Sequence, residues 1–199
     1  MKNRFIFWGV VLLILSACES TTVRRVEPER QIDLSGYWND TDVRIVCESL
    51  INDCLNSPMV DQAIRARSRI PTVIVGRFRN ESDEHINTEI ISSTMEVTIF
   101  NSGKLSFVAG GDVRDEIRAE RLDQQSNSSE VTTARLANET GADFMLTGAV
   151  RTIVDREGNR TVRTYYVTAE MTNIETNQRM WMGQNSEIKK VITRANYRP

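Results

Sequence analysis

The sequence predicts a mixed α/β domain of the α+β kind: a small mixed or antiparallel sheet flanked by helices, in the order α-β-α-β-α-α-β-β-β. Three observations predict it. Apolar residues recur at three-to-four spacing over Val43–Cys54 and over Ile91–Ile99, the period of a helix that buries one face. The short run Thr72–Phe78 (TVIVGRF) is rich in β-branched residues, which suit a half-buried pleated surface. From Phe144 onward the chain alternates residue by residue between turn signals. Helices therefore cluster ahead of a three-strand meander, which points to a mixed sheet with helices on one or both faces.

Each element has its own warrant. Thr21–Gln31 has no apolar period, carries charges of both signs and contains Pro28, so it reads as a linker. Asp40 or Thr41 is placed to cap the first helix, whose stripe is Val43, Val46, Cys47, Leu50, Ile51 and Cys54. Tyr37 and Trp38 sit where a hydrophobic staple would pack on its first turns, and Pro58 ends the region. On one helix Cys47 and Cys54 are ~10.5 Å apart along the axis. A disulfide needs Cα atoms within ~7 Å, so the pair reads as two buried thiols.

After the strand Thr72–Phe78 comes a polar loop, Asn80–Asn87. Thr88 then caps a helix running to about Asn101, and Gly103 stands where a left-handed C-terminal residue would stop it. Leu105–Val108 is a second short strand, followed by the Gly110-Gly111 turn. Asp112–Gln125 is a charged helix with a solvated face, and Asn127 or Ser128 starts another that ends near Gly141. Phe144–Val154, a hairpin loop Asp155–Asn159 holding Gly158, and a strand whose one face is Tyr165, Val167, Ala169 and Met171 come next. A turn at Glu175–Gln178 leads into Met180, Trp181 and Met182. No internal repeat is present.

The composition excludes several functions. Of 199 residues, 25 are Lys or Arg and 27 are Asp or Glu, a net charge of −2, which lacks the basic excess of a general nucleic-acid binder. The single histidine, His85, excludes a two-histidine catalytic or metal site. There is no G-x-S-x-G, no P-loop and no C-x-x-C. Cys47 with His85 as a nucleophile pair would need an exposed thiol, which the apolar stripe argues against. The acid pairs Asp83-Glu84 and Asp115-Glu116 read as surface solvation. No cofactor, metal or small-molecule substrate is expected.

The exposed candidate is the loop after the first strand. Asn80, Asp83, Glu84 and His85 are candidate partner-binding residues, because loops joining a strand to a helix often carry binding groups. The competing reading is that Asn80, Ser82 and Asp83 satisfy backbone donors of the turn while His85 caps or packs. Trp181, with Met180 and Met182, reads as core, with a partner anchor as the alternative.

The amino terminus adds an address. Lys2 and Arg4 precede Phe5–Ala17, an uncharged stretch too short to cross a bilayer comfortably. It ends Leu15-Ser16-Ala17-Cys18, which resembles the bacterial lipoprotein signal, in which small residues precede a cysteine that is lipidated before cleavage. The expected parts are a signal peptide over residues 1–17, a lipidated N-terminus and short linker over 18–32, and one globular α/β domain over 33–199. Cleavage removes two cations and no acid, taking the net charge to −4. The linker reaches ~55 Å at full stretch and ~20 Å as a flexible coil.

Several stretches resemble the penicillin-binding-protein activator lipoproteins of the LpoB type. They are Ser35-Gly36-Tyr37-Trp38-Asn39-Asp40-Thr41-Asp42, Asp53-Cys54-Leu55, Val73-Ile74-Val75-Gly76 with Arg79-Asn80, and Glu84-His85-Ile86. Asn101-Ser102-Gly103-Lys104, Glu120-Arg121 with Gln124-Gln125, Gly141-Ala142-Asp143-Phe144-Met145-Leu146, Glu175-Thr176-Asn177 and Trp181-Met182-Gly183-Gln184 continue the match over about residues 33–190. The resemblance implies a small α/β domain similar to the N-terminal domain of TolB, held at the periplasmic face of the outer membrane by a lipid on Cys18. It implies a non-catalytic protein that binds a bifunctional class A penicillin-binding protein and stimulates both its polymerising and cross-linking activities. Glu19, not aspartate, follows the lipid cysteine, which fits the outer membrane. The chain departs from the enteric members in its tether: their long proline-rich segment is replaced by a short linker. The alternative is a structural lipoprotein of a secretion or flagellar apparatus, and a periplasmic hydrolase would need a nucleophile–base pair that the sequence does not display.

Overall fold

In a computed structural model, residues 24–27, 30–108, 113, 115–120 and 141–194 are described. The chain divides into two units, residues 1–31 and residues 32–199, and the helices and strands of the described residues all lie in the second. The first helix, α1 (Asp40–Asn56), starts one residue earlier than the sequence signals. Asn39 is the cap: its side chain accepts from the Asp42 N–H at 3.1 Å, and the Asp42 side chain accepts from the Asn39 N–H at 2.9 Å, a complete capping box. The whole predicted stripe from Val43 to Cys54 is buried. Cys47 and Cys54 are both free thiols with no exposure.

Pro58 does not end the helical region. Ser57 breaks α1 with an extended backbone, then accepts the Val60 N–H on its hydroxyl and caps α2 (Pro58–Arg65), in which Pro58 takes the first position. A proline is harmless there, since that N–H has no helical partner anyway. Next come β1 (Thr72–Glu81), α3 (Thr88–Ser102) and the two-residue β2 (Ser106–Phe107). Asn87, not Thr88, caps α3, and Gly103 ends it with φ of 67°. Residues 113 and 115–120 are helical, within the charged helix expected over Asp112–Gln125. The helix expected between residues 127 and 141 lies outside the described residues.

The last third forms β3 (Phe144–Glu157), β4 (Arg160–Asn173), β5 (Arg179–Asn185) and β6 (Lys189–Thr193). β6 is a strand the sequence reading lacks. Among the described residues the sheet has six strands in the order β2-β1-β3-β4-β5, with β6 also paired to β4. β1 runs parallel to β2 and β3, and the rest is antiparallel, so the sheet is mixed. β3 and β4 pair without interruption from Phe144↔Asn173 to Glu157↔Arg160, and Gly158 supplies the positive φ of the tight turn. β5 and β6 share one edge of β4 end to end.

One sheet face is the core. Val73, Phe78, Leu146, Val150, Tyr165, Val167 and Met171 meet Val46, Leu50 and Ile51 of α1 and Ile91, Met95 and Ile99 of α3. Asp143 ties the starts of β1 and β3 together: its carboxylate accepts from the Thr72 N–H at 2.7 Å and from Arg69 at 2.9 Å. At the far end of these strands, where β1 runs into the chain leading to α3, lies the candidate site.

Candidate functional site

β1 continues through Glu81, so Asn80 is a strand residue rather than part of the loop. Its side chain turns the chain. Oδ1 accepts from the Ser82 N–H at 3.1 Å and the Ser82 hydroxyl at 2.6 Å, and Nδ2 donates to the Glu84 carbonyl at 2.7 Å. That turn sends Asp83 and Glu84 back over β3 and β4. The Thr152 hydroxyl donates to Asp83 Oδ1 at 2.7 Å, and Arg163 Nη2 donates to Asp83 Oδ2 at 2.9 Å. Glu84 Oε1 accepts from the Tyr165 hydroxyl at 2.6 Å and lies 2.9 Å from Arg163 Nε. Glu84 Oε2 accepts from the Trp38 N–H at 3.0 Å.

The same group of side chains holds the strap that precedes α1. Arg163 Nη1 donates to the Gly36 carbonyl at 3.4 Å, and Lys190 Nζ donates to the Tyr37 carbonyl at 2.7 Å while lying 2.6 Å from Asp42 Oδ2. Trp38 and Tyr37 also contact the sheet, which a helix staple alone does not predict. The Trp38 ring packs on Tyr165 with centroids 5.1 Å apart, and Tyr37 lies over the Arg163 guanidinium at 5.1 Å. Arg163 offers a cation to one ring and Tyr165 an aromatic partner to the other.

The electrostatics follow from burial. The Arg163 side chain is 6% exposed and that of Glu84 7%, so each charge depends on its partner. Hydrogen bonds from Arg163 and then Thr152 hold the Asp83 carboxyl below the usual aspartate range. Burial, and then the Glu84 carboxylate that accepts its proton, pushes the Tyr165 hydroxyl up. Burial also raises Asp42, outweighing the Lys190 ammonium. Two buried donors among the described residues lack a hydrogen-bond partner: Trp38 Nε1, and Arg163 Nε, whose contact with Glu84 is therefore ionic.

The sequence candidates thus take different places. Asn80 shapes the turn, Asp83 and Glu84 bind Arg163, and His85 remains exposed. His85 lines a hollow of about 550 Å³ with Trp38, Asp40, Val43, Ile86 and Ile90. Trp181 is 7% exposed and its Nε1–H donates to Asp53 at 2.9 Å, in keeping with a core role, while Met182 is exposed. Burial pushes both the Cys47 and Cys54 thiols up to about 12, so neither is a thiolate near neutral pH. Among the described residues no group of three or more His, Cys, Asp or Glu side chains is placed to hold a metal.

Arg163 and Lys190 are the members that sequence reasoning missed. A signal for Arg163 was present: it shares strand parity with Tyr165, Val167, Ala169 and Met171, the core-facing set. An arginine on that face requires a buried acid.

A family model described as the peptidoglycan-synthase activator LpoB matches residues 42–186. Among solved structures, the chain is similar to the LpoB C-terminal domain from Escherichia coli, at 13% identity and a TM-score of 0.45, over 77% of this chain and 99% of that one. The corresponding domain from Salmonella enterica is 15% identical with a TM-score of 0.43, at the same coverage. A lipoprotein from Neisseria meningitidis is 15% identical with a TM-score of 0.37, over 64% of this chain and 88% of that one. No curated protein matches.

Proposed function

The chain belongs to the peptidoglycan-synthase activator LpoB family, and from that premise we propose that it binds and activates a bifunctional class A penicillin-binding protein without catalysing a reaction itself. The observation that carries this reading is the family match, which runs from the first turn of α1 to just beyond β5. The domain is held by a lipid on Cys18 at the periplasmic face of the outer membrane, through the short linker of residues 18–32. Asn80, Asp83 and Glu84 hold the chain between β1 and α3 in a fixed shape, and His85 is carried on its outer side. Such a preformed surface suits an activator, which shifts a synthase toward its active state only by as much as it binds that state more tightly.

The test adds the purified full-length protein in detergent to a class A synthase from the same organism. Glycan polymerisation should rise with protein concentration and then saturate. An unchanged rate, with no detectable binding, overturns the proposal.

A further inference from the structure

α3 is apolar on two sides. Ile91, Met95 and Ile99 are fully buried in the core, whereas Ile90, Val97 and Phe100 are 54%, 59% and 67% exposed. Their spacing of seven and then three residues places them along one outer face of the helix. A helix that is apolar on both sides is ordinarily covered on both, and among the described residues none covers that outer side. Scattered exposed apolar residues need no explanation, but these continue a concave feature. Asn87 and Ile90 line both the hollow beside His85 and Trp38 and a shallow, open surface that follows α3 past Ser93 to Val97.

Among the described residues that line this face the charge of α3 has one sign. α3 contains no lysine or arginine, and its ionisable side chains are Glu89 and Glu96. Asp40 lies across the hollow, at the start of α1. Among the described residues none of these three carboxylates forms an ion pair, although Arg77 shares a neighbouring depression with Glu89. Glu96 is set so close to the apolar side chains that burial raises its pKa. A cation brought to this edge meets uncompensated negative charge.

We propose that the outer face of α3, from Ile90 to Phe100, is the docking surface for the synthase and takes an apolar segment flanked by lysine or arginine. The inference rests on the function proposed above, since it is the synthase that supplies the segment. A second copy of this chain is the poorer occupant, because two α3 faces meeting would set Glu89 and Glu96 of one against those of the other.

The test compares three variants of the full-length protein in detergent: Ile90→Thr/Val97→Thr, Glu89→Gln/Glu96→Gln, and, as a control on an exposed side chain elsewhere, Met182→Thr. Affinity for the class A synthase, its dependence on salt, stimulated polymerisation and molar mass are measured. The apolar double variant should weaken binding by about tenfold or more. The glutamine variant should slow association and flatten the salt dependence, and the control should match wild type. All the changed positions are solvent-exposed, so thermal unfolding should be unaltered and report that folding is intact. If wild type binds and both double variants bind equally well, the surface lies elsewhere and the activator reading stands. If the apolar variant instead abolishes self-association and leaves synthase affinity alone, a second copy is the occupant and the inference is overturned. If wild type neither binds nor activates, the activator reading fails and takes this inference with it.

Discussion

Arg163 decides the polar side of the site. Its guanidinium meets Asp83, Glu84, the Gly36 carbonyl and the Tyr37 ring, and it is almost fully enclosed. Replacing it with methionine leaves the Glu84 carboxylate buried without its cation, at a cost of ~3–5 kcal/mol. Arg163→Met/Glu84→Gln should recover much of that loss, because the orphaned charge is gone, and urea unfolding of the three proteins measures both values. Asp83 and Asp143 give a pH dependence. Asp83 is held low by Arg163 and Thr152; at Asp143 burial acts upward, but the Thr72 N–H, the Thr72 hydroxyl and Arg69 outweigh it. A carboxyl with a lowered folded pKa contributes stability above its unfolded value, near 3.8 here, and loses it as pH falls through the folded value. Asp143→Asn should therefore be less stable than wild type at pH 6 and converge on it as pH falls through the lowered folded value, as read from urea midpoints along an acid series. Asn80 belongs to the end of β1, whereas Asp83, Glu84 and His85 are legible in the sequence as a polar loop holding the lone histidine. That Asp83 answers to Arg163 is not, because strand alternation reveals which face a residue takes but not which of the acids 80 positions away reaches it.

At the scale of elements, what was legible was local. The stripe of α1, the left-handed Gly103 and the Gly158 turn each depend on a few neighbouring residues, and each is where its pattern places it. α2 and β6 depend on context. Pro58 both forbids continuation of α1 and permits the start of α2, and only the Ser57 hydroxyl bonded to Val60 shows which applies. Ser57→Ala should cost ~1 kcal/mol and loosen α2 alone, visible as faster amide exchange at Val60 and Asp61. β6 (KKVIT) is a five-residue segment with two lysines, and its strand depends on the edge that β4 offers. A tertiary constraint also explains the irregular register of β1 between Val75 and Phe78. Beyond the irregularity Phe78 pairs with Gly148, and a Cβ at Gly148 would collide with the Phe78 ring and the Thr168 carbonyl. Gly148→Ala should then destabilise the domain by ~1–3 kcal/mol through overpacking, whereas Gly141→Ala, where nothing lies near, should not. Calorimetry of the two variants separates a packing cost from a generic loss of glycine.

Taken whole, the protein as proposed joins a membrane address to a binding surface. The mixed class of the fold was readable because helical and alternating periods segregate along the chain. The parallel pairing of β1 with β3 was not, since Val73 and Phe144 share no local signal. The strap over residues 33–39 is fastened by Lys190, Arg163 and Glu84 to the strands and the chain that frame the candidate surface. The proposed linker over residues 18–32, if it behaves as a coil, would give that surface a reach of ~20 Å. The proposed lipid on Cys18 then acts through concentration rather than contact. Acyl chains would confine the domain within the linker's reach of the membrane and so raise its local concentration there without any new interaction. Cys18→Ala should accordingly separate two properties. The variant should leave the membrane fraction on sucrose-gradient fractionation, yet stimulate purified synthase in detergent as strongly as wild type at saturating concentration. Persistent membrane attachment would refute the anchor. Loss of stimulation with attachment also lost, at saturating protein, would mean that the lipidated end itself touches the synthase, and that the outer face of α3 is not the whole of the contact.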